Sequence, residues 1–261
     1  MFDLNEFFKV LDGLAPLKYS LMQIEKGDYD NSGILLKTHL DVEKVLFSLD
    51  LTSETVKRAK KLKCDTVVTH HPAIYYPIKT LDAFGETAAF ALAAENRLNV
   101  ISMHLNLDIA DGGIDDCLCS GLGGVNPETL NSLDEYSHYG REFKTDITLA
   151  GFKKRIEKNF GTKRITVYGD INAPAGTVAS FCGAGSGYAL DYARKGGVAN
   201  TVVTADIPHH VLLELTERGK QVVVLTHYAS ENYGFFRFYE RVKNKVCDKA
   251  ETFYFEDKRF L

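Results

Sequence analysis

Two adjacent histidines, His70 and His71, close the β-branched run of "TVVTHHP", and Pro72 behind them stops a strand ladder from continuing. Histidine and carboxylate recur in comparable places along the chain. His104 and Asp108 lie in "HLNLD", Asp206, His209 and His210 in "TADIPHH", and His227 and Glu231 in "THYASE". Six of the eight histidines follow strand-like runs directly or nearly so; only His39 and His138 lie elsewhere. Imidazole and carboxylate together form the donor set of first-row divalent ions such as Zn, Mn, Fe, Ni or Co. Each residue also has a plainer reading by itself. A lone strand-end histidine is usually a hydrogen-bonded structural residue, Glu231 suits the first turn of a helix dipole, and Asp108 suits a turn before "GG". The same residue types at four strand ends favour a metal site over four separate structural roles.

The elements that must position these groups alternate. Strand-like runs fall at 44–49, 65–69, 98–103, 164–168, 177–182, 201–204, 221–226 and 250–255. Helical periodicity falls at about 53–63, 86–96, 148–158, 187–195, 208–219 and 231–245. This predicts an α/β fold of two similar halves, with mixed, largely parallel sheets flanked by helices. Ligands of such sheets bind beyond the carboxyl ends of the strands. The first half, 1–125, carries His70, His71, His104 and Asp108, and the second, 148–261, carries His227 and Glu231. The stretch 126–147, rich in Gly, Asn, Ser, Asp and Tyr, reads as their connection. "DTVVTHHP" and "QVVVLTHY" form a short echo between the halves. Pro72 keeps His71 extended. Ser230 reads as an N-cap with Glu231 opening the helix, and Asp3 with Glu6 as a capping box.

Composition is that of a globular protein: 261 residues, 45% hydrophobic and 25% charged, with a net charge of −4. No basic footprint marks a nucleic-acid partner. No apolar run reaches the roughly 18 residues of a membrane span, and the acidic start lacks a signal-peptide pattern. Five scattered cysteines without a C-x-x-C pair read as reduced thiols, so the cytoplasm is expected. "CGAGSGY" offers Gly183, Gly185 and Gly187 between a strand and a helix, the position of a phosphate-binding turn, but Tyr188 breaks the G-x-G-x-x-G pattern. "DYDNSG" reads as a plain turn.

In order, "THHP", "HLNLD", "GAGSG", "TADIPHH" and "THYASE" resemble the Nif-three-like family, whose members are often labelled type-2 GTP cyclohydrolase I homologs. The resemblance runs from "DNSG" to the helix after Glu231. It implies a dinuclear centre of two divalent transition-metal ions per chain, with ligands His70, His71, Asp108, His227 and Glu231. His104 would line the site as a catalytic candidate, and His209 and His210 would meet substrate or move protons. It also implies a homohexamer acting on a small molecule. The reaction expected is metal-dependent hydrolysis of a nucleotide or related compound, with ring opening of a GTP-like substrate as the specific case and Gly183, Gly185 and Gly187 near its phosphates. The alternative is a non-catalytic metal-binding or regulatory protein. Leu105, Ala205 and Thr226 replace residues usual in the family motifs without removing a ligand.

Overall fold

The β-branched runs form strands and the periodic segments form helices, with ends within a few residues of those expected. The computed structural model describes residues 2–132 and 138–261. The chain folds as two compact units, Met1–Ala110 with Phe235–Asp257, and Asp111–Gly234 with Lys258–Leu261. It therefore passes between units three times, once inside the helix His227–Val246.

In the first unit a five-stranded sheet orders Glu251–Tyr254, Lys44–Ser48, Thr66–Thr69, Asn99–Ser102 and Gly33–Leu36. The first four are parallel and the last is antiparallel. Strands buried on both faces read as unbroken apolar runs, as "TVVT" and "NVIS" do. One face packs Leu46, Val67 and Val100 against Val56 and Ala59 of the helix Ser53–Leu62 and Ala93 of Ala88–Glu95. Phe47 packs against Phe235, Phe238 and Tyr239 of the long helix. Each such buried side chain contributes about 1.5–3 kcal/mol. At the amino end Asp3 accepts from the amides of Asn5 and Glu6, whereas the Glu6 carboxylate pairs with Lys9 at 2.7 Å. The expected capping box is thus only half used, because a charged neighbour one turn on competes for Glu6.

In the second unit six strands run in the order Glu128–Ser132, His138–Thr148, Pro174–Ser180, Thr201–Thr204, Gln221–Val224 and Thr166–Tyr168. The three middle neighbours, from Pro174–Ser180 to Gln221–Val224, are parallel, and the flanking pairs are antiparallel. The stretch read as a connection therefore supplies two strands, although 133–137 lie outside the described residues. Its alternation is hidden because one inward position is Arg141, only 1% exposed. Arg141 Nη1 donates to Asp115 Oδ2 at 3.1 Å and its Nε to Asp116 Oδ1 at 2.6 Å. Both acids open the helix Ile114–Leu122. Among the described residues no helix is long and apolar enough to cross a membrane. The cysteines are free thiols, Cys247 exposed and Cys64, Cys117, Cys119 and Cys182 buried.

Burial pushes the Asp115 carboxyl up to about 7 against the pull of Arg141 and the amides of Gly140 and Cys182. Arg141→Met leaves that carboxyl buried without its cation and is expected to cost about 3–5 kcal/mol of unfolding free energy. It also raises the folded-state value further above the ordinary 3.8. Above 3.8 the unfolded chain has released this proton while the folded variant still holds it. Stability in that window falls as pH rises. The deficit of the variant in urea denaturation should be least near pH 5 and grow as pH climbs through 7.

Candidate metal-binding histidine clusters

His70 and His71 escape the alternation of a strand because both of their amides donate to one acceptor, the Leu49 carbonyl, at 3.1 and 3.0 Å. Regular pairing would aim neighbouring side chains at opposite faces. With both amides turned to one oxygen, the rings lie 4.9 Å apart between centroids. The hydroxyl of Ser102 donates to the His70 carbonyl and that of Thr69 to the His71 carbonyl, both at 2.8 Å, which holds the turn from the adjoining strand ends. His104 follows the neighbouring strand Asn99–Ser102, and its ring centroid stands 5.1 Å from that of His70 and 5.6 Å from that of His71.

The hydrogen bonds at the ring nitrogens decide what these imidazoles can do. His70 is fully buried, and its Nδ1 is 2.8 Å from the Met103 carbonyl, which can only accept. His71 Nδ1 is 2.6 Å from Asp50 Oδ1, and His104 Nδ1 is 2.7 Å from Asp30 Oδ1. Each Nδ1 therefore carries the hydrogen in the neutral ring, and each Nε2 keeps the lone pair. This is how metal-binding histidines are oriented. His70, His71 and His104 each offer a ligand atom within 4.8 Å of the others. His70 Nε2 also faces Asp108 Oδ1 at 3.3 Å. Asp108 is buried on the short helix Leu105–Ile109, where its amide donates to the His104 carbonyl at 3.0 Å. A lone pair facing a carboxylate oxygen at this spacing suits a cation held by both, so the first unit fits a divalent ion.

The second unit repeats the device. His227 Nδ1 is hydrogen-bonded to Asp206 Oδ2, while its Nε2 stands 3.1 Å from Glu231 Oε2. Asp206 holds the left-handed backbone (φ 44°) that aspartate tolerates better than most residues. The helix starts at His227, earlier than its apolar periodicity implied, because Thr226 Oγ1 accepts the Ala229 amide at 3.1 Å. His227 and Glu231 thus sit four residues apart on one helix face. Ser230 is not the cap: its hydroxyl donates to the His227 carbonyl at 2.7 Å and accepts the Gly183 amide at 3.1 Å.

The three glycines of "CGAGSGY" have different tasks. A Cβ on Gly183 would stand 2.1 Å from Glu231 Oε1, so the missing side chain admits that carboxylate. Gly185 is crowded by Tyr139 and Phe181, and its amide donates to the Cys182 carbonyl at 3.1 Å. Gly187 lies exposed within the helix Ser186–Arg194. With the amides of Gly183 and Gly185 already engaged, the turn lacks those donors for a phosphate. His209 and His210 are exposed at the start of the helix His209–Glu217. They belong to none of the metal-ligating clusters found among the described residues. His39 bridges Thr38 and Asn99 and is structural. Sequence reasoning missed Asp30, Asp50 and the Met103 carbonyl. For Asp50 the available signal was its place just after the strand Lys44–Ser48.

Comparison with known proteins identifies the family and the fold. The family model described as Duf34/NIF3 (NGG1p interacting factor 3) matches residues 2–259. The "GTP cyclohydrolase 1 type 2 homolog" of Clostridium perfringens is 26% identical over 255 residues, covering 95% of this chain and 94% of that one. The Methanocaldococcus jannaschii protein of the same description is 28% identical over 252 residues, covering 93% and 95%. The crystal structure of a Bacillus cereus protein related to NIF3 superposes with a TM-score of 0.84 at 17% identity, over 98% of this chain and 97% of that one, and shares its fold.

Gly183→Ala should disturb the second cluster from two directions. The left-handed backbone (φ 51°) costs about 1–2 kcal/mol with a side chain, and the added methyl displaces the Glu231 carboxylate. In a double-mutant cycle with Glu231→Ala followed by chemical denaturation, the combined loss should fall below the sum of the single losses, since removing Glu231 relieves the clash.

Proposed function

Because the chain belongs to the Duf34/NIF3 family, we propose that it binds two divalent transition-metal ions through His70, His71, Asp108, His227 and Glu231, and that it hydrolyses a nucleotide or related small molecule. The observation that carries the metal reading is the shared state of the histidines. In both units an oxygen acceptor takes Nδ1 and leaves Nε2 beside a buried carboxylate oxygen. Ions bound there would acidify water and polarise a scissile C=N, C=O or P–O bond. The chain's own part is to hold the donors in place and keep them deprotonated. Asp108 and Glu231 are almost fully buried, which sets carboxylate oxygens in surroundings of low dielectric where a divalent ion binds firmly.

Relatives described as GTP cyclohydrolase 1 type 2 homologs support one specific candidate, the hydrolytic opening of a purine imidazole ring. His104, which stands beside His70 and His71, lines the site where the ions would meet the reacting group. Free thiols fit a cytoplasmic setting, and a homohexamer belongs to the same reading.

Purified protein reconstituted with Zn, Mn, Fe, Ni or Co and analysed by elemental mass spectrometry should hold about two ions per chain. Well under one ion per chain after reconstitution would reject the site. Asp108→Ala and Glu231→Ala should each lower the content, and unchanged content removes that residue from the ligand set. The metal-loaded protein should turn over a member of a panel of nucleotides, phosphoesters and cyclic amides. His71→Ala should abolish that turnover; persistence would mark a contaminant. Metal binding with no turnover across the panel would favour a metal-handling or regulatory role.

A further inference from the structure

The segment "DYDNSG" does more than turn the chain. Asp30 is 8% exposed and uses both carboxylate oxygens. Oδ1 accepts the His104 Nδ1 hydrogen at 2.7 Å. Oδ2 accepts two hydroxyls, from Ser20 on the helix Leu17–Glu25 and from Ser32 at 2.6 Å. The Ser32 oxygen in turn accepts the His104 amide at 3.1 Å, so residues 30–32 grip His104 by backbone and ring together. Asn31 donates to the Ile74 carbonyl at 2.6 Å, and the Tyr75 hydroxyl to the Tyr29 carbonyl at 2.7 Å. The same short segment is thereby tied to the loop that follows His71. Tyr75 closes the outer side of His104 with an edge contact at 5.8 Å between centroids.

We propose that Asp30 is a positioning residue that locks His104 in its Nδ1–H form, so that His104 Nε2 becomes a third imidazole donor to the divalent ion held by His70 and His71. Three observations carry this. The ligand atoms of His70, His71 and His104 lie within 4.8 Å of one another. His104 Nδ1 is already committed to Asp30, which leaves Nε2 as its donor. Asp30 serves three hydrogen-bond donors through two oxygens, which an acceptor-only carboxylate can do and an amide cannot. In Asp30→Asn, either the serine hydroxyls face an NH2 group or His104 Nδ1 does. The second arrangement drives the ring hydrogen to Nε2 and removes its lone pair.

The inference rests on the metal-binding reading above, and the experiment separates the two. Co2+ affinity and the visible Co2+ spectrum would be measured by titration of the full-length protein for the wild type, Asp30→Asn, His104→Ala and the double variant. Loss of an outer carboxylate partner typically weakens binding about 10–100-fold. Asp30→Asn and His104→Ala should each fall in that range and alter the cobalt bands. The double variant should bind no more weakly than His104→Ala, because Asp30 acts through His104. Wild-type affinity in Asp30→Asn overturns the proposal, as do losses that multiply in the double variant, the mark of a merely structural aspartate. A wild type that binds no Co2+ fails the underlying reading itself. If Asp30→Asn does not fold, Ser32→Ala keeps the carboxylate and loosens its anchor. It should weaken Co2+ binding in the same direction, and unchanged affinity overturns the proposal. A histidine 15N–1H correlation spectrum of the metal-free protein should show the His104 hydrogen on Nδ1 in the wild type and not in Asp30→Asn; a wild-type hydrogen on Nε2 also overturns it.

Discussion

The four imidazoles of the candidate metal clusters each give their Nδ1 hydrogen to an oxygen of the protein, and the chemistry available to the fold depends on that single arrangement. His70 uses the Met103 carbonyl, His71 uses Asp50, His104 uses Asp30 and His227 uses Asp206. A neutral imidazole can place its hydrogen on either nitrogen, and a fixed acceptor at one of them removes the choice. The other nitrogen then offers a lone pair in a set direction. Much of the surrounding structure serves to keep the acceptors still. The Leu49 carbonyl gathers two amides, a serine pair pins Asp30, and Asp206 adopts a backbone conformation few residues tolerate.

Holding polar groups this deeply works against stability, and the apolar layers of the sheets offset it. His70, Asp108 and Glu231 are all nearly or fully buried. Desolvating such groups is costly unless each has a partner. The parallel strands place them where partners converge, at carboxyl ends that several neighbours share. A different solution operates at Arg141, where one guanidinium is divided between two acids and takes an inward position of a strand. That cluster organises the second unit and contributes nothing to the histidines. Buried charge thus serves different ends at different places, pinning a hairpin to a helix at Arg141 and aiming ring nitrogens at Asp30.

The strands and helices with clean periodicity were legible because burial imposes a period of two or an unbroken apolar run on one and a period near 3.6 on the other. "TVVT", "NVIS" and "KVLFS" are such strands. His138–Thr148 was not legible, since its inward Arg141 breaks the apolar alternation and is neutralised only by Asp115 and Asp116, distant in sequence. Nor could the division into units be read locally. Glu251–Tyr254 pairs in parallel with Lys44–Ser48, and pairing between strands far apart in the chain leaves no periodic trace in either.

The sequence by itself determined the α/β class, the family and the residue types of the donor set, because strand-end histidines and carboxylates are placed by local pattern. Tertiary structure alone decided which nitrogen each histidine presents. The acceptors lie 21 to 74 residues away along the chain in all four cases, Asp30 holding His104 from farthest, and no spacing rule links them. It also decided that Gly183 is a gap for Glu231 and that its amide belongs to Ser230. The physical reason is common to all of these. A hydrogen bond or a van der Waals gap is a relation between two surfaces, and a sequence lists only one side of it at a time.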